Sequence, residues 1–493
     1  MEIDVLVVGA GPVGLTMAAE LARYGLSVRL VEKMAQATDK SKALVLWSRT
    51  LELMDRMGCT SSFINAGFQA NGATVRAGDK LISHVTLGGV ASPYPYALMI
   101  PQCDTERLMA QHLNSLGVTV EREVEMTSFR DSADGVHSTL RHADGREETV
   151  ESSWLIGSDG AHSTVRHQLG MEFLGDTLQS DWILADVHLS NVPNAAEINV
   201  MWHSEGVLVI FPITKNRFRV IADSGTAADG LRRPDPTLEE VQAVLNRRGP
   251  GGIQATAPIW LAAFRINERK VADYRAGRVF LTGDAAHVHS PAGGQGMNTG
   301  MQDACNLAWK LALVTRGLCA DSPLLDSYSI ERSAVGDSVL KGAGRMTTIA
   351  TLQGGVKQSI RNHIASLVFG LAPVRHAMAD AMTELSIGYP ESPLTRQGGK
   401  VHDGPHAGQR APIRADEPPV GAGNMPRFAL FSEPDENAAA LLAQFPDFLE
   451  QKIRPPFQPG GLWLVRPDGY VAVATKQDDW ERVSDFFKTL TVF

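Results

Sequence analysis

The chain has 493 residues, 44% of them hydrophobic and 20% charged, with a formal net charge of −9. That length can carry two or three domains around a large core, and the composition is globular rather than disordered. The acidic balance, with only scattered basic pairs such as Arg232-Arg233 and Arg247-Arg248, speaks against a nucleic-acid surface.

In chain order, Ile3–Val8 is a continuous apolar, β-branched run, as expected of a buried parallel strand. Gly9–Gly14 predicts a tight turn, Leu15–Tyr24 a helix closed by Gly25, and Val28–Val31 a second strand ending at Glu32. This is a βαβ opening. Residues 72–100 alternate apolar and polar around Ala77-Gly78-Asp79, and residues 118–150 do so around Ala143-Asp144-Gly145, both hairpin signals. Further strand-like runs fill 183–223, among them Val207–Phe211 and Phe218–Ile221. Leu281 ends another buried strand, 300–316 read as a helix, and 333–388 as largely helical. From 393 to 425 the chain turns to Gly, Pro and charge, a linker or irregular wrap. Phe428–Phe493 then reads as a small separate α/β unit: a helix near Ala438–Phe445, strands Leu462–Arg466 and Tyr470–Ala474, and a last helix from Asp478.

The four cysteines, Cys59, Cys103, Cys305 and Cys319, show neither Cys-x-x-Cys nor zinc spacing, so idle thiols in a reducing cytosol are expected, and no metal. The start of the chain lacks the basic region and the apolar length of a signal peptide, and the apolar stretch 364–373 is too short to span a bilayer. A soluble cytoplasmic protein is expected.

Three glycine-containing segments carry the chemistry. In Gly9-Ala10-Gly11-Pro12-Val13-Gly14 the first glycine allows the turn, the second a close approach of backbone to a pyrophosphate, and the third close packing of helix on strand. The helix N-terminus then offers free N–H groups to the phosphate. Glu32, with Lys33 beside it, ends the second strand where a ribose hydroxyl would lie. The second segment is Gly157-Ser158-Asp159-Gly160, followed by Ala161-His162-Ser163. The third is Gly283-Asp284-Ala285-Ala286-His287, continuing through Pro291 to Gly294, Gly296, Met297 and Asn298.

In this order the three segments resemble the single-component (group A) FAD-dependent aromatic hydroxylases, in particular the phenol and polyketide hydroxylase branch. The resemblance implies an α/β fold: a Rossmann-type FAD-binding domain (1–72, 101–180, 262–392) interleaved with a mostly antiparallel substrate-binding sheet (73–100, 181–261). A linker (393–425) and a thioredoxin-like terminal domain (426–493) would follow; since no cysteine lies beyond Cys319, that domain would have a packing or homodimer role and no dithiol chemistry. The resemblance implies FAD as cofactor and NAD(P)H as co-substrate. It assigns FAD contacts to Gly9, Gly11, Pro12, Val13, Gly14, Glu32, Lys33, Asp159, Gly283, Asp284, Gly294, Gly296, Met297 and Asn298. Asp284 would bond the ribityl chain, the 294–298 backbone would lie under the flavin, and Pro291 would sit near its reactive edge.

Lys42 stands where the family usually has Arg; it keeps the charge and loses the bidentate fork. Gln102 matches a glutamine that reaches the ribityl chain. The reaction so implied is hydroxylation of a phenolic or polyketide-like ring through a flavin C4a-hydroperoxide, with the cofactor carrying the hard chemistry and no catalytic residue named. Trp47, Trp202, Phe211, Arg219 and Pro291 are the candidates for the substrate pocket. His287 and His289 are expected to orient the loop. Baeyer–Villiger, epoxidase and reductase chemistry stay open on the same fold. A halogenase should carry Trp-x-Trp-x-Ile-Pro, which Pro258-Ile259-Trp260 does not match.

Overall fold

A computed structural model describes residues 3–38, 41–225, 233–351, 371–399 and 403–491. The N-terminal sheet has eight strands. At its centre Ile3–Val8 lies parallel to Val28–Glu32 on one side and to Glu147–Gly157 on the other. Val279–Leu281 lies parallel to Glu147–Gly157 on the far side. Val5, Leu6 and Val7 have no exposure at all, which is why this run is apolar without alternation. The pairing sets a common level: Val8 is opposite Gly157, and Gly157 is opposite Leu281. All three strands therefore end on one rung.

Helices Pro12–Arg23 and Gly296–Thr315 pack against this sheet. Both begin earlier than the sequence pattern suggests. Pro12 occupies the first helical turn, where its missing N–H costs nothing. The second helix starts among glycines that carry no apolar signal. Of the long helical stretch expected at 333–388, the described parts are Asp326–Thr351 and Ala372–Met382; residues 352–370, including most of the apolar stretch at 364–373, lie outside the described residues.

A second eight-stranded sheet stands across from the first. Its middle strands, Leu174–Ser190, Arg217–Gly225, Gly206–Pro212 and Ile198–His203, run antiparallel to their neighbours. Ile198–His203 then pairs parallel with Gly72–Ala77. Two strands pass well beyond the boundaries expected at 181 and 261: Leu174–Ser190 and Gln254–Lys270 pair with each other along nearly their whole length. They form one long ribbon with irregularities at Thr177/Asp181 and Asp186/His188, and a cut at 261 would sever its ladder. Helix Leu238–Arg248, which the sequence reading left unassigned, backs this sheet and opens with a reciprocal capping box between Thr237 and Glu240. Residues 97–99 leave the expected hairpin and join a small sheet with Val45–Leu46 and Phe68–Ala70.

The C-terminal unit is a four-stranded sheet with helices Glu436–Gln444 and Trp480–Leu490. Its edge strand, Arg396–Gln397, comes from the stretch read as linker. Nor is the unit separate. Its core runs on into that of the first sheet, with Phe428 meeting Trp309 edge-on at 5.6 Å. Buried charges seal the junction. Arg466, 1% exposed, pairs with Glu331 (2.6 Å) and Asp468 (2.5 Å), and Lys310 reaches Glu331 at 2.9 Å. Arg49 and Arg56 donate to the carbonyls of Asp468 and Pro467 in the Pro467-Asp468-Gly469 turn. Replacing Arg466 with Met strips two buried carboxylates of their shared cation. The expected cost is about 3–5 kcal/mol, read as a large fall in the thermal or denaturant midpoint; an unchanged midpoint would mean the junction does not rest on this cluster.

Candidate cofactor and substrate site

Beyond the carboxyl ends of Ile3–Val8, Glu147–Gly157 and Val279–Leu281 a cleft of about 340 Å³ opens. Open parallel sheets bind ligands in this crevice. Its floor is formed by Gly11, Pro12 and Val13, by Ser158 and Gly160, and by Asp284 with Gly294, Gly296 and Met297. Lys42, Ala43, Leu44 and Val45 form a rim with Gln102, and the second sheet closes the opposite side.

The first turn has a reason for each glycine. Gly9 has φ +100°, and a Cβ there would overlap the Ser158 carbonyl. A Cβ on Gly14 would overlap the Gly9 carbonyl. At Gly11 the situation is reversed: nothing lies within 4 Å of where its Cβ would be. That space belongs to the cleft, and Gly11 gives the helix no side-chain cap. The first-turn N–H groups are thus left for an anion.

Glu32 is half-buried and accepts from the Ala10 amide at 2.8 Å and the Met34 amide at 3.0 Å. It fixes the turn, with one lone pair per oxygen left over. Lys33 is exposed and stands off the cleft wall. Asp159 caps the short helix Thr164–Gln168, accepting from the amides of Thr164 (2.7 Å) and Val165 (3.2 Å), while its other oxygen is buried without a partner. Gln102 lines the cleft, accepts from the Ala43 amide at 3.1 Å and donates to Glu106 at 2.9 Å.

In the third segment the Gly283 amide donates to Asp303 at 3.0 Å, and His287 Nε2 lies 2.9 Å from the same carboxylate. Arg332 Nε donates to its other oxygen at 2.6 Å. Asp284 is turned the opposite way, into the cleft, where it keeps free surface although protein walls surround it. Desolvation pushes its carboxyl up, against the pull of His287 and Lys42. His289 shares the cleft wall. Burial pushes its imidazole down to about 4, and its Nδ1 hydrogen-bonds the Ser290 carbonyl at 2.9 Å, so the ring is neutral with the proton on Nδ1.

Trp47 does not stand in the cleft wall where a substrate-pocket residue is expected, and it is held by Asn298. Asn298 is fully buried and works as a staple: its Oδ1 accepts from the Trp47 amide (2.9 Å) and its Nδ2 donates to the carbonyls of Val45 (2.9 Å) and Gly294 (3.0 Å). Trp47 is 1% exposed and donates its indole N–H to the Gly293 carbonyl at 3.0 Å. Neither side chain walls the cleft; together they lock the glycine loop to the rim. Trp202 is also displaced, since it packs in a separate cluster with Val75, Ile82, Trp182 and Val207.

On the sheet side Phe211 and Arg219 face each other across adjacent strands, and both line the cleft. Arg219 is almost wholly buried and makes a bidentate pair with Asp186 (2.7 and 3.0 Å). Its remaining nitrogen donates to the Lys42 carbonyl at 2.8 Å. It braces the rim more than it presents charge. Pro291 lies exposed at the mouth. The sequence reading missed Ile221, two residues beyond Arg219 and therefore on the same face of its strand, a period-two signal that was available. Ser158 and Thr282, joined by a 2.7 Å hydroxyl contact, gave no signal of their own.

These features suit FAD. An uncapped helix end with empty space at Gly11 suits a pyrophosphate, a cleft-facing carboxylate suits a polyol chain, and a second helix N-terminus suits an electron-rich ring. The FAD binding domain family matches residues 2–343. The chain is 35% identical over 508 aligned residues to 6-methylpretetramide 4-monooxygenase of Streptomyces rimosus, covering 95% of this chain and 90% of that one. It is 30% identical to pentachlorophenol 4-monooxygenase of Sphingobium chlorophenolicum, covering 71% of this chain and 65% of that one. Among solved structures, the anhydrotetracycline hydroxylase OxyS from Streptomyces rimosus superposes with a TM-score of 0.77 at 28% identity, over 100% of this chain and 99% of that one. The chain therefore belongs to the FAD binding domain family and is an FAD-dependent aromatic monooxygenase that uses NAD(P)H and oxygen.

Proposed function

We propose that this enzyme hydroxylates a phenolic, polyketide-like ring held between the glycine-rich floor and the second sheet. The observation that carries the reading is the meeting of the three cofactor segments on one rung, facing Phe211 and Ile221 across a single cleft. The relatives named for 6-methylpretetramide and pentachlorophenol oxidation and the anhydrotetracycline hydroxylase support a phenolic or polyketide aromatic substrate. FAD would supply hydride acceptance from NAD(P)H and the activation of oxygen.

The chain's own residues bind, orient and exclude water. The N-terminus of Pro12–Arg23 would take the pyrophosphate, and Glu32, through its free lone pairs, a ribose hydroxyl. Asp284 would accept from the ribityl hydroxyls. The N-terminus of Gly296–Thr315 would favour negative charge on the flavin end. Phe211, Ile221, Leu44 and Val45 form an apolar wall that keeps water from the ring. Lys42 on the rim brings positive charge close to Asp284 and would attract the coenzyme phosphates. Residues 73–100 together with the sheet that runs from 174 to 270 would form the substrate half. We assign the enzyme to the cytoplasm, where its free cysteines stay reduced.

The test is NADH and NADPH oxidation by the purified yellow protein against a panel of phenols and tetracyclic polyketides, with product and peroxide measured together. Fast oxidation with hydroxylated product is expected for at least one member, and peroxide alone from every compound would reject the substrate class. For Asp284→Ala, FAD affinity should fall about tenfold or more; wild-type affinity and turnover would remove Asp284 from the cofactor site. Lys42→Ala should raise the NAD(P)H Michaelis constant about fivefold with little change in that for the phenol, and equal effects on both would reject its coenzyme role.

A further inference from the structure

Glu384 follows the helix Ala372–Met382 and does not line the cleft, yet it is held in an unusual way. It has φ +61°, a left-handed conformation that costs a side chain with a Cβ about 1–2 kcal/mol. It is 1% exposed, and among the described residues no cation stands within ion-pair distance of it. Strain and an unpaired buried carboxyl persist where the surroundings over-determine them, and such sites cluster near function.

Its contacts run toward the flavin-facing loop. One oxygen lies 3.2 Å from the Thr299 hydroxyl, and the other accepts from Gln302 Nε2 at 2.5 Å. The Thr299 hydroxyl also lies 3.0 Å from the carbonyl of Gln295, the residue between Gly294 and Gly296 in the cleft floor. Gln295 in turn donates from its side chain to the Ala381 carbonyl at 2.9 Å. The same turn is tied to the helix Ser48–Arg56, because the Arg49 amide donates to the Thr383 carbonyl at 3.2 Å.

A threonine hydroxyl has one proton. If Glu384 is protonated, it donates to Thr299 Oγ1, and Thr299 donates to the Gln295 carbonyl. If Glu384 is ionised, Thr299 must turn its proton to the carboxylate, and the Gln295 carbonyl is left with the Thr299 amide alone. Both arrangements keep the Thr299 hydroxyl and the Glu384 carboxyl hydrogen-bonded to each other, so the contact has two states. Burial pushes the Glu384 carboxyl up to about 8, against the pull of Arg332 and of its two hydrogen bonds, while Asp303 adds to the rise. The charged groups on the surrounding helices are otherwise engaged. Arg332 and Asp303 bind each other, and Arg49 is taken by Glu52 and the Asp468 carbonyl.

We propose that Glu384 is a positioning residue whose protonation sets the direction of the Thr299 hydroxyl and, through Gln295, the seating of the Gly294–Met297 floor against the flavin. This rests on the FAD reading of the cleft. Because wild-type flavin binding tests that reading by itself, the two can fail separately.

The experiment follows the visible flavin spectrum and the FAD dissociation constant of the holoenzyme from about pH 6 to about pH 10. Wild type should show a step with a midpoint near 8 and a change in FAD affinity of about fivefold across it. Glu384→Gln keeps the shape and cannot titrate, so the step should vanish. Thr299→Val keeps Glu384 but breaks the relay, and it should also lose the step. It decides the matter if the glutamine variant cannot hold FAD. A purely structural role would move the melting temperature and leave the step in place. A step that survives in both variants, or none in wild type, overturns the proposal. Thermal stability gives a second readout with a defined sign. A carboxyl with a raised folded pKa contributes stability that is full below the ordinary glutamate range and is lost progressively as pH rises from there to about 8, so Glu384→Gln should flatten that decline.

Discussion

Close backbone contact among the three glycine segments is the constraint on which the site depends. Gly14 presses on the Gly9 carbonyl, Gly9 on Ser158, Gly283 on Val13, and Gly300 on Gly283. At Gly9 and Gly14 an added Cβ would meet backbone carbonyls, and at Gly283 and Gly300 it would meet the Val13 side chain first. Because the three strands end on one rung, the turns leave the sheet side by side and can touch at all. The result is a floor made of main chain, which can approach a flat cofactor more closely than side chains could. An added methyl at Gly9 would press the first segment on the second, and one at Gly283 the third on the first.

Asp303 holds the third segment in this arrangement. Burial pushes its carboxyl up, but Arg332, His287 and the Gly283 amide overcome that and hold it below the ordinary range. A buried charge is expensive unless it is paired and hydrogen-bonded, and here both oxygens are taken. Arg332 carries the connection further, to the Thr299 carbonyl and the Tyr389 hydroxyl. Tyr389 packs against Tyr470, so the cofactor loop is joined to the C-terminal unit by one path of buried contacts. The C-terminal unit thus closes the far side of the network that holds the start of the helix Gly296–Thr315.

Much of this was legible in the sequence, and what was not has a common cause. The βαβ opening, the Gly-Asp segment and the hairpins rest on local signals, namely apolar runs, turn residues and fixed spacings, and these were readable. The places taken by the side chains of Asn298, Trp47 and Trp202 were not readable, for a different reason. Their roles depend on partners more than 100 residues away or in another cluster, as in Asn298 bridging to Val45 across 253 positions. Asp159 shows the ambiguity from the other side, since one carboxylate can cap a helix and still face a ligand segment, and the local pattern is identical for both. Glu384 had no signal at all. Its left-handed backbone and its burial exist only in the folded chain.

The division of labour in the cleft follows from the chemistry. Among the described residues the titratable side chains on its walls are few: Lys42, Asp284, His289 and Arg219. Arg219 is neutralised by Asp186, and His289 is held uncharged by burial. A bound flavin carries the hard chemistry itself and asks little acid–base work of the side chains around it. What the flavin does need is a dry, apolar wall on one side and a fixed main-chain surface on the other. The Arg219–Asp186 pair supplies the link between them. By gripping the Lys42 carbonyl it ties the second sheet to the rim of the first, so the apolar wall and the cofactor floor keep a fixed spacing. Arg219, a pocket candidate in the sequence, lines the cleft and also ties its two walls together.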